Sequence, residues 1–117
     1  MASNELRARL IRPEEVPSEG IDGGASHRPI VSREETGIDM TVFHARFRPG
    51  ESHDWHAHEE DEVIYVVSGE GRYELEDGEI RYRAGEFILM PRGTKHRNSG
   101  AGEEDVILVA MFQPAVR

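Results

Sequence analysis

The sequence predicts an all-β protein, built as an antiparallel sandwich or barrel of two packed sheets. Short apolar runs recur from Arg28 onward, and glycine, proline and aspartate separate them at regular intervals. Phe43, Ala45 and Phe47 alternate with polar residues, which is the period of a strand that buries one face. Since no apolar stripe at helical spacing appears, we expect no helix of three or more turns in residues 27–117.

The predicted strands end at residues with turn chemistry. Asp77-Gly78 is a pair typical of a tight hairpin, and Pro49-Gly50 and Pro91-Arg92-Gly93 mark two further turns. The last predicted strand is apolar on both faces over residues 106–112, so its outer face needs a cover, either the N-terminal arm or a second subunit. The predicted strands are residues 28–32, 39–48, 53–58, 62–67, 71–76, 79–83, 86–90, 95–98 and 105–112.

Residues 1–26 differ from the rest of the chain, and we interpret them as an irregular N-terminal arm. They are polar and carry Pro13, Pro17 and several glycines, and the prolines stop any helix that starts before them. The remaining residues, 27–117, have the size of one domain, which we expect to be a barrel with room for one small pocket.

The composition excludes several classes of function. The net charge of -9 disfavours nucleic acid and anionic membrane surfaces as partners, since both need a basic face. The chain has no cysteine, so thiolate catalysis, zinc fingers and iron–sulfur clusters are excluded. No apolar stretch is long enough for a membrane helix, and the N-terminus lacks the apolar region of a signal peptide. We therefore expect a cytoplasmic protein.

Two histidines one residue apart, His56 and His58, open the candidate site. Residues i and i+2 of a strand point to the same face, so a strand aims both imidazoles at one point. We expect residues 59–61 to form a solvent-facing turn that returns Glu62 to the histidines. His96 stands after a turn, at the start of a later strand. Three imidazoles and one carboxylate suit a first-row divalent metal.

Each part of this set has a simpler interpretation when taken alone. A His-x-His pair in an exposed strand is most often an ordinary polar stretch of surface, and His96 alone would be a loop histidine. The acidic run over residues 59–62 alone would be a solvated charge run. The spacing of the whole set therefore decides the interpretation.

The first stretch resembles the first motif of the cupin superfamily. In that motif five residues separate a glycine from His-x-His, and a glutamate and a second glycine follow at set distances. Gly50, His56, His58, Glu62 and Gly69 stand at those positions here.

A later stretch resembles the second cupin motif. Gly85, Pro91, Gly93 and His96 stand at its positions, whereas Gly100 stands where the motif has asparagine. That asparagine is not a metal ligand in the family, so the departure leaves the ligand set intact.

The resemblance covers about residues 40–112 and identifies the chain as similar to the small single-domain, conserved-barrel cupins. It implies the cupin double-stranded β-helix, or jelly-roll, barrel of two antiparallel sheets, and a homodimer made by pairing sheets. It also implies one divalent metal ion (Fe, Mn, Zn, Ni or Cu), whose ligands would be His56, His58, Glu62 and His96.

Other residues near the site carry weaker expectations. His53 should point to the opposite face from His56, as a surface histidine or a supporting one, since the two differ by three positions on a strand. Trp55 should also face away from the site and pack. The tyrosines could donate hydrogen bonds to a substrate, but packing in the sheets is the expected role for Tyr65, Tyr73 and Tyr82.

Such a site favours a small anionic or enolisable ligand, because one carboxylate leaves a divalent ion with net positive charge. Our first hypothesis is a small metal-dependent enzyme that resembles the dioxygenases of the family. A non-catalytic ligand-binding or sensing protein, or an isomerase or lyase that uses the metal as a Lewis acid, remains an alternative. Lys95 and Arg97 could assist anion binding, although we expect them to be solvent-exposed. No residue is singled out as a general acid or base.

Overall fold

The computed structural model of this protein describes residues 6–117. The strands are β1 (Glu19–Gly20), β2 (Ser26–Val31), β3 (Thr41–Phe47), β4 (Ser52–His56), β5 (Asp61–Ser68), β6 (Glu70–Leu75), β7 (Gly78–Arg83), β8 (Phe87–Met90), β9 (His96–Gly100) and β10 (Val106–Gln113). The helices are a single 3-10 turn at Pro13–Glu15 and α1 (Arg33–Thr36).

The strands form two antiparallel sheets that face each other across the core. The larger sheet has the order β1-β2-β3-β10-β5-β8, and the smaller has the order β4-β9-β6-β7. Both sheets turn alternate residues inward, as in β10, where Val106, Leu108, Ala110 and Phe112 are buried. The all-β prediction is therefore confirmed, and the alternation in the sequence is the alternation of inward and outward faces.

The predicted absence of a long helix holds for the described residues. Helix α1 spans four residues, Arg33–Thr36, between β2 and β3. Ser32 caps it by accepting a hydrogen bond from the backbone N–H of Glu35 at 3.2 Å, and Gly37 ends it in the left-handed conformation at φ 79°. Among the described residues, no helix has the length and apolar character that crossing a bilayer requires.

The predicted turns lie where the sequence indicated. Strands β6 and β7 form a hairpin whose last pair joins Leu75 and Gly78 across the turn at residues 76–77. Gly50 and Gly69 both have positive φ, 86° and 83°, a conformation that glycine adopts without steric cost.

The N-terminal segment packs against the larger sheet. Arg28 of β2 donates hydrogen bonds to the backbone oxygens of Val16 at 2.6 Å and Pro13 at 3.3 Å. Farther along, β1 pairs with β2, and Ala25 is fully buried in the core. The first five residues of the predicted arm lie outside the described residues.

Candidate metal centre

The structure brings three of the four predicted ligands into one cluster. His56 ends β4, His58 follows two residues later, and His96 begins β9 on the neighbouring strand of the smaller sheet. One ring nitrogen from each histidine lies within 4.8 Å of the other two. Strands distant in sequence thus place three imidazoles at one point inside the barrel.

Hydrogen bonds to the backbone orient all three rings in the same way. A carbonyl oxygen can only accept, so each Nδ1 that contacts one must carry a proton, and in the neutral ring Nε2 then keeps its lone pair. The carbonyl partners are Asp54 for His56 at 2.8 Å, Glu60 for His58 at 2.9 Å and Thr94 for His96 at 2.7 Å. This arrangement is the one that metal-binding histidines show.

Glu62 lies beside the cluster, at the inward-facing start of β5, and is 6% exposed. Its Oε1 lies 3.1 Å from Nε2 of His58 and 3.9 Å from Nε2 of His96. His58 already donates from Nδ1, so a neutral His58 has no proton left for Glu62. The contact requires a proton between the two groups, carried by His58 or by Glu62, or a cation that both groups bind. The donor set therefore fits a divalent metal.

The charges around the cluster perturb two of the imidazoles in opposite directions. Glu62 raises the pKa of His58, chiefly through the hydrogen bond between them. Burial lowers the pKa of His96, whose side chain lies almost completely out of solvent. Glu62 thus favours the charged form of His58, whereas burial disfavours the charged form of His96.

Two contacts join the segment around His58 to the turn before His96. The backbone N–H of Gly93 donates to the carbonyl of His58 at 2.8 Å. Asp61 accepts from the guanidinium of Arg92 at 3.0 Å and 3.2 Å, and this pairing lowers the pKa of Asp61 to about 2. Asp61, whose side chain is 48% exposed, begins β5 and joins this end of the strand to the turn before β9.

The orientation predicted for His53 is wrong. Its strand pairs with β9 so that His53 faces Asn98 and His56 faces His96, with one extra residue on β4 between the two pairs. This β-bulge shifts the alternation, so His53 and His56 point the same way. Their rings stack with centroids 4.0 Å apart, and burial lowers the pKa of His53 to about 3.

A cavity of about 90 Å³ adjoins the cluster inside the barrel. Aromatic and aliphatic side chains form most of its wall, and among residues 6–117 no lysine or arginine lines it. Its lining includes Phe43, Phe47, Leu108 and Phe112 together with His27, His53, His56, Glu62, Tyr73, His96 and Asn98.

His27 is a cavity residue that the sequence did not indicate. Its ring stacks on Phe43 at 4.1 Å, and its Nε2 lies 3.1 Å from Oε1 of Glu19. Both contacts depend on the pairing of β2 with β3 and β1, and no local pattern around His27 signals that pairing.

Three further candidates lie outside the cavity, namely Trp55, Lys95 and Arg97. Trp55 is 43% exposed, with Nζ of Lys95 6.0 Å from its ring centroid, so it packs only in part. Arg97 donates to Glu74 at 2.9 Å. Neither Lys95 nor Arg97 lines the cavity, so neither is placed to hold an anion beside the cluster.

Residues 43–112 match the family model described as the cupin domain. This chain belongs to the cupin family. The matched segment contains the whole histidine cluster and every strand of the smaller sheet, so the resemblance of the two motifs and the observed fold agree.

Curated relatives of this cupin include enzymes of more than one kind. Protein SchB of Streptomyces halstedii is 27% identical over 111 residues, which cover 94% of this chain and 80% of that protein. Acireductone dioxygenase of Frankia alni is 27% identical, covering 92% of this chain and 66% of that enzyme. (S)-ureidoglycine aminohydrolase of Escherichia coli is 32% identical over 58% of this chain, which spans only 26% of that enzyme.

Solved structures share the fold of this cupin at low sequence identity. A predicted oxalate decarboxylase from Thermotoga maritima superposes with a TM-score of 0.82 at 22% identity, covering 91% of this chain and 99% of that one. The polyketide cyclase RemF from Streptomyces resistomycificus superposes with a TM-score of 0.80 at 19% identity, covering 95% and 87%. These likenesses establish the jelly-roll barrel.

Proposed function

We propose that this cupin is a small metal-dependent enzyme, similar to a dioxygenase, that acts on a small anionic or enolisable substrate. The observation that carries the proposal is the convergence of the three imidazoles, each of which is held through Nδ1 by a backbone carbonyl. The sequence similarity to acireductone dioxygenases supports the choice of reaction class.

The residues that would hold the ion are His56, His58, His96 and Glu62. Three nitrogen donors and one oxygen donor suit Fe, Mn, Zn, Ni or Cu and leave coordination positions for a ligand. Such an ion would supply Lewis-acid or redox chemistry at the edge of the cavity. Because Glu62 offsets one positive charge of a divalent ion, the site favours an oxygen ligand that is anionic or becomes so.

Metal analysis followed by oxygen uptake tests this function. We expect purified protein to contain close to one first-row metal ion per chain and to consume oxygen with an enolisable substrate from a panel. Bound metal without oxygen uptake or any other turnover would favour a non-catalytic ligand-binding cupin. Turnover of the substrate without oxygen uptake would favour the isomerase or lyase alternative.

The role of Glu62 is testable against its neighbour in the acidic run. Glu62→Ala should weaken metal binding by about 100-fold or more, since even residues behind the ligands typically contribute 10- to 100-fold. Glu60→Ala should leave metal affinity nearly unchanged. Glu60 contacts His58 through its backbone carbonyl, which the substitution keeps. Competition with a chelator measures the metal affinity of both variants. If Glu60→Ala lost the metal and Glu62→Ala kept it, the carboxylate ligand would have been assigned to the wrong residue.

We also propose that this cupin forms a homodimer through the outer face of its larger sheet. Strands β5 and β8 present exposed apolar side chains there, and β8 is the edge strand. The side chains are Val63, Val67, Phe87 and Leu89, with exposures of 37%, 45%, 66% and 67%. The described part of the N-terminal arm is bound at β2, near the opposite edge of the sheet. A second copy is therefore the proposed cover for the β5/β8 side.

Replacing two of these side chains tests the dimer. We expect the wild-type protein to have the mass of a dimer in light scattering at micromolar concentration, and Phe87→Asp combined with Leu89→Asp to convert it to a monomer. Ile38→Asp is the matched control, since Ile38 is 49% exposed but lies beyond α1. A monomeric wild-type protein at high micromolar concentration would contradict the proposal.

A further inference from the structure

Tyr73 is buried in the barrel beside the histidine cluster, yet its hydroxyl has no protein partner among the described residues. The residue is 4% exposed and lines the cavity, and its ring centroid lies 5.7 Å from that of His96. By contrast, the hydroxyl of Tyr82 donates to Oδ1 of Asn98 at 2.7 Å. Tyr73 and Tyr82 lie on neighbouring strands and are equally buried. Within the described chain, only the hydroxyl of Tyr82 has a protein partner, so the hydroxyl of Tyr73 can bond to a ligand.

The free hydroxyl opens onto the cavity. Within residues 6–117 no completely buried side-chain nitrogen or oxygen lacks a hydrogen-bond partner. The unpartnered oxygen of Tyr73 must therefore reach open space, and the cavity is the space that its side chain lines. A buried phenol is a costly group to leave unpaired, so an oxygen or nitrogen from a bound molecule is the natural acceptor.

The rest of the wall restricts what that molecule can be. Phe43, Phe47 and Phe112 make much of the lining apolar, and the described part of the chain places no lysine or arginine there to neutralise extra negative charges. The cavity volume of about 90 Å³ is smaller than the ~150 Å³ that accommodates a benzene ring. Only a compact end of a ligand fits, and burying more than one negative charge in it would be costly.

We propose that Tyr73 is a substrate-binding residue that donates a hydrogen bond to an oxygen of an enol or enolate. The substrate class is an enolisable carbonyl compound whose inserted end is compact, largely apolar and carries at most one negative charge. This inference rests on the proposed function, because the same cavity and histidine cluster are involved. Of the two substrate classes in the proposed function, the inference favours the enolisable compounds over organic anions with several negative charges.

Ligand binding to zinc-loaded protein tests the inference without turnover, because Zn²⁺ has no redox chemistry. The probes are acetylacetone and malonate, which share a 1,3-dicarbonyl skeleton and differ in carrying an enolisable diketone or two carboxylates. Calorimetric titrations compare the wild type with Tyr73→Phe. The control is Tyr65→Phe, the same chemical change on the outer face of β5. Zinc content measured before and after each titration shows that the probes leave the metal in place.

We expect acetylacetone to bind at least tenfold more tightly than malonate. Tyr73→Phe should weaken acetylacetone binding about fivefold, the effect of one hydrogen bond, while zinc content and Tm stay near wild type. Tyr65→Phe should bind as the wild type does. Equal binding by Tyr73→Phe and wild type would overturn the role of Tyr73, and malonate binding as tight as acetylacetone would overturn the substrate class.

Failure of the inference and failure of the proposed function give different results. Zinc-loaded wild-type protein that binds neither probe would overturn the inference and leave the metal site standing. Wild-type protein that retains no zinc or other first-row metal would remove the proposed function and the inference together.

Discussion

His96→Ala is expected to abolish metal binding, or to weaken it by at least about 100-fold, because the variant loses one of three converging imidazoles. His96 is 1% exposed and its Nδ1 donates to Thr94. Its removal therefore also leaves an unfilled space and a carbonyl without its partner. Metal content after dialysis, together with circular dichroism to verify the fold, measures the effect.

His44→Ala is the matched control for that experiment. His44 lies on β3 between the inward-facing residues Phe43 and Ala45, so it points to the outer face of the larger sheet. We expect this variant to retain metal as the wild type does. Equal metal retention by His44→Ala and His96→Ala would show that the cluster is not the binding site.

Gly69→Ala is expected to lower the free energy of unfolding by about 2 to 5 kcal/mol. The left-handed conformation at φ 83° costs a residue with a side chain about 1 to 2 kcal/mol. A methyl group at Gly69 would also collide with the backbone oxygen of Asp105 and approach Cα of Val106 at 2.9 Å. Such overpacking costs a further ~1 to 3 kcal/mol, because backbone atoms cannot move aside easily. Urea denaturation measures the sum.

Gly50→Ala separates the two contributions. Gly50 has nearly the same conformation, at φ 86°, but a methyl group there would meet nothing within 4 Å. We expect a loss of only about 1 to 2 kcal/mol, the conformational cost alone. If Gly69→Ala were no more destabilising than Gly50→Ala, the close approach of Gly69 to Asp105 and Val106 would not be the reason for glycine at position 69.

Much of the fold followed from local patterns in the sequence. The alternation of Phe43, Ala45 and Phe47 predicted an inward face because side chains on a strand point alternately to its two sides. Asp77-Gly78 predicted the β6–β7 hairpin, since the residues that tolerate such a turn are few. His56 and His58 converge as predicted, but the predicted strand over residues 53–58 is too long, because β4 ends at His56 and His58 lies after it.

The tertiary structure alone decided which other groups join the site. His53 turned inward because a bulge on β4 depends on its register with β9, and no residue near His53 reveals where its partner strand will place an extra residue. His27 and Tyr73 line the cavity for the same reason: pairing of β2 and β6 with strands distant in sequence sets their positions. Alternation along one strand is a local property of the backbone, so the sequence by itself determined which residues of a regular strand face inward. The cavity around the cluster depends on contacts between distant segments, and those exist only once both sheets have packed together.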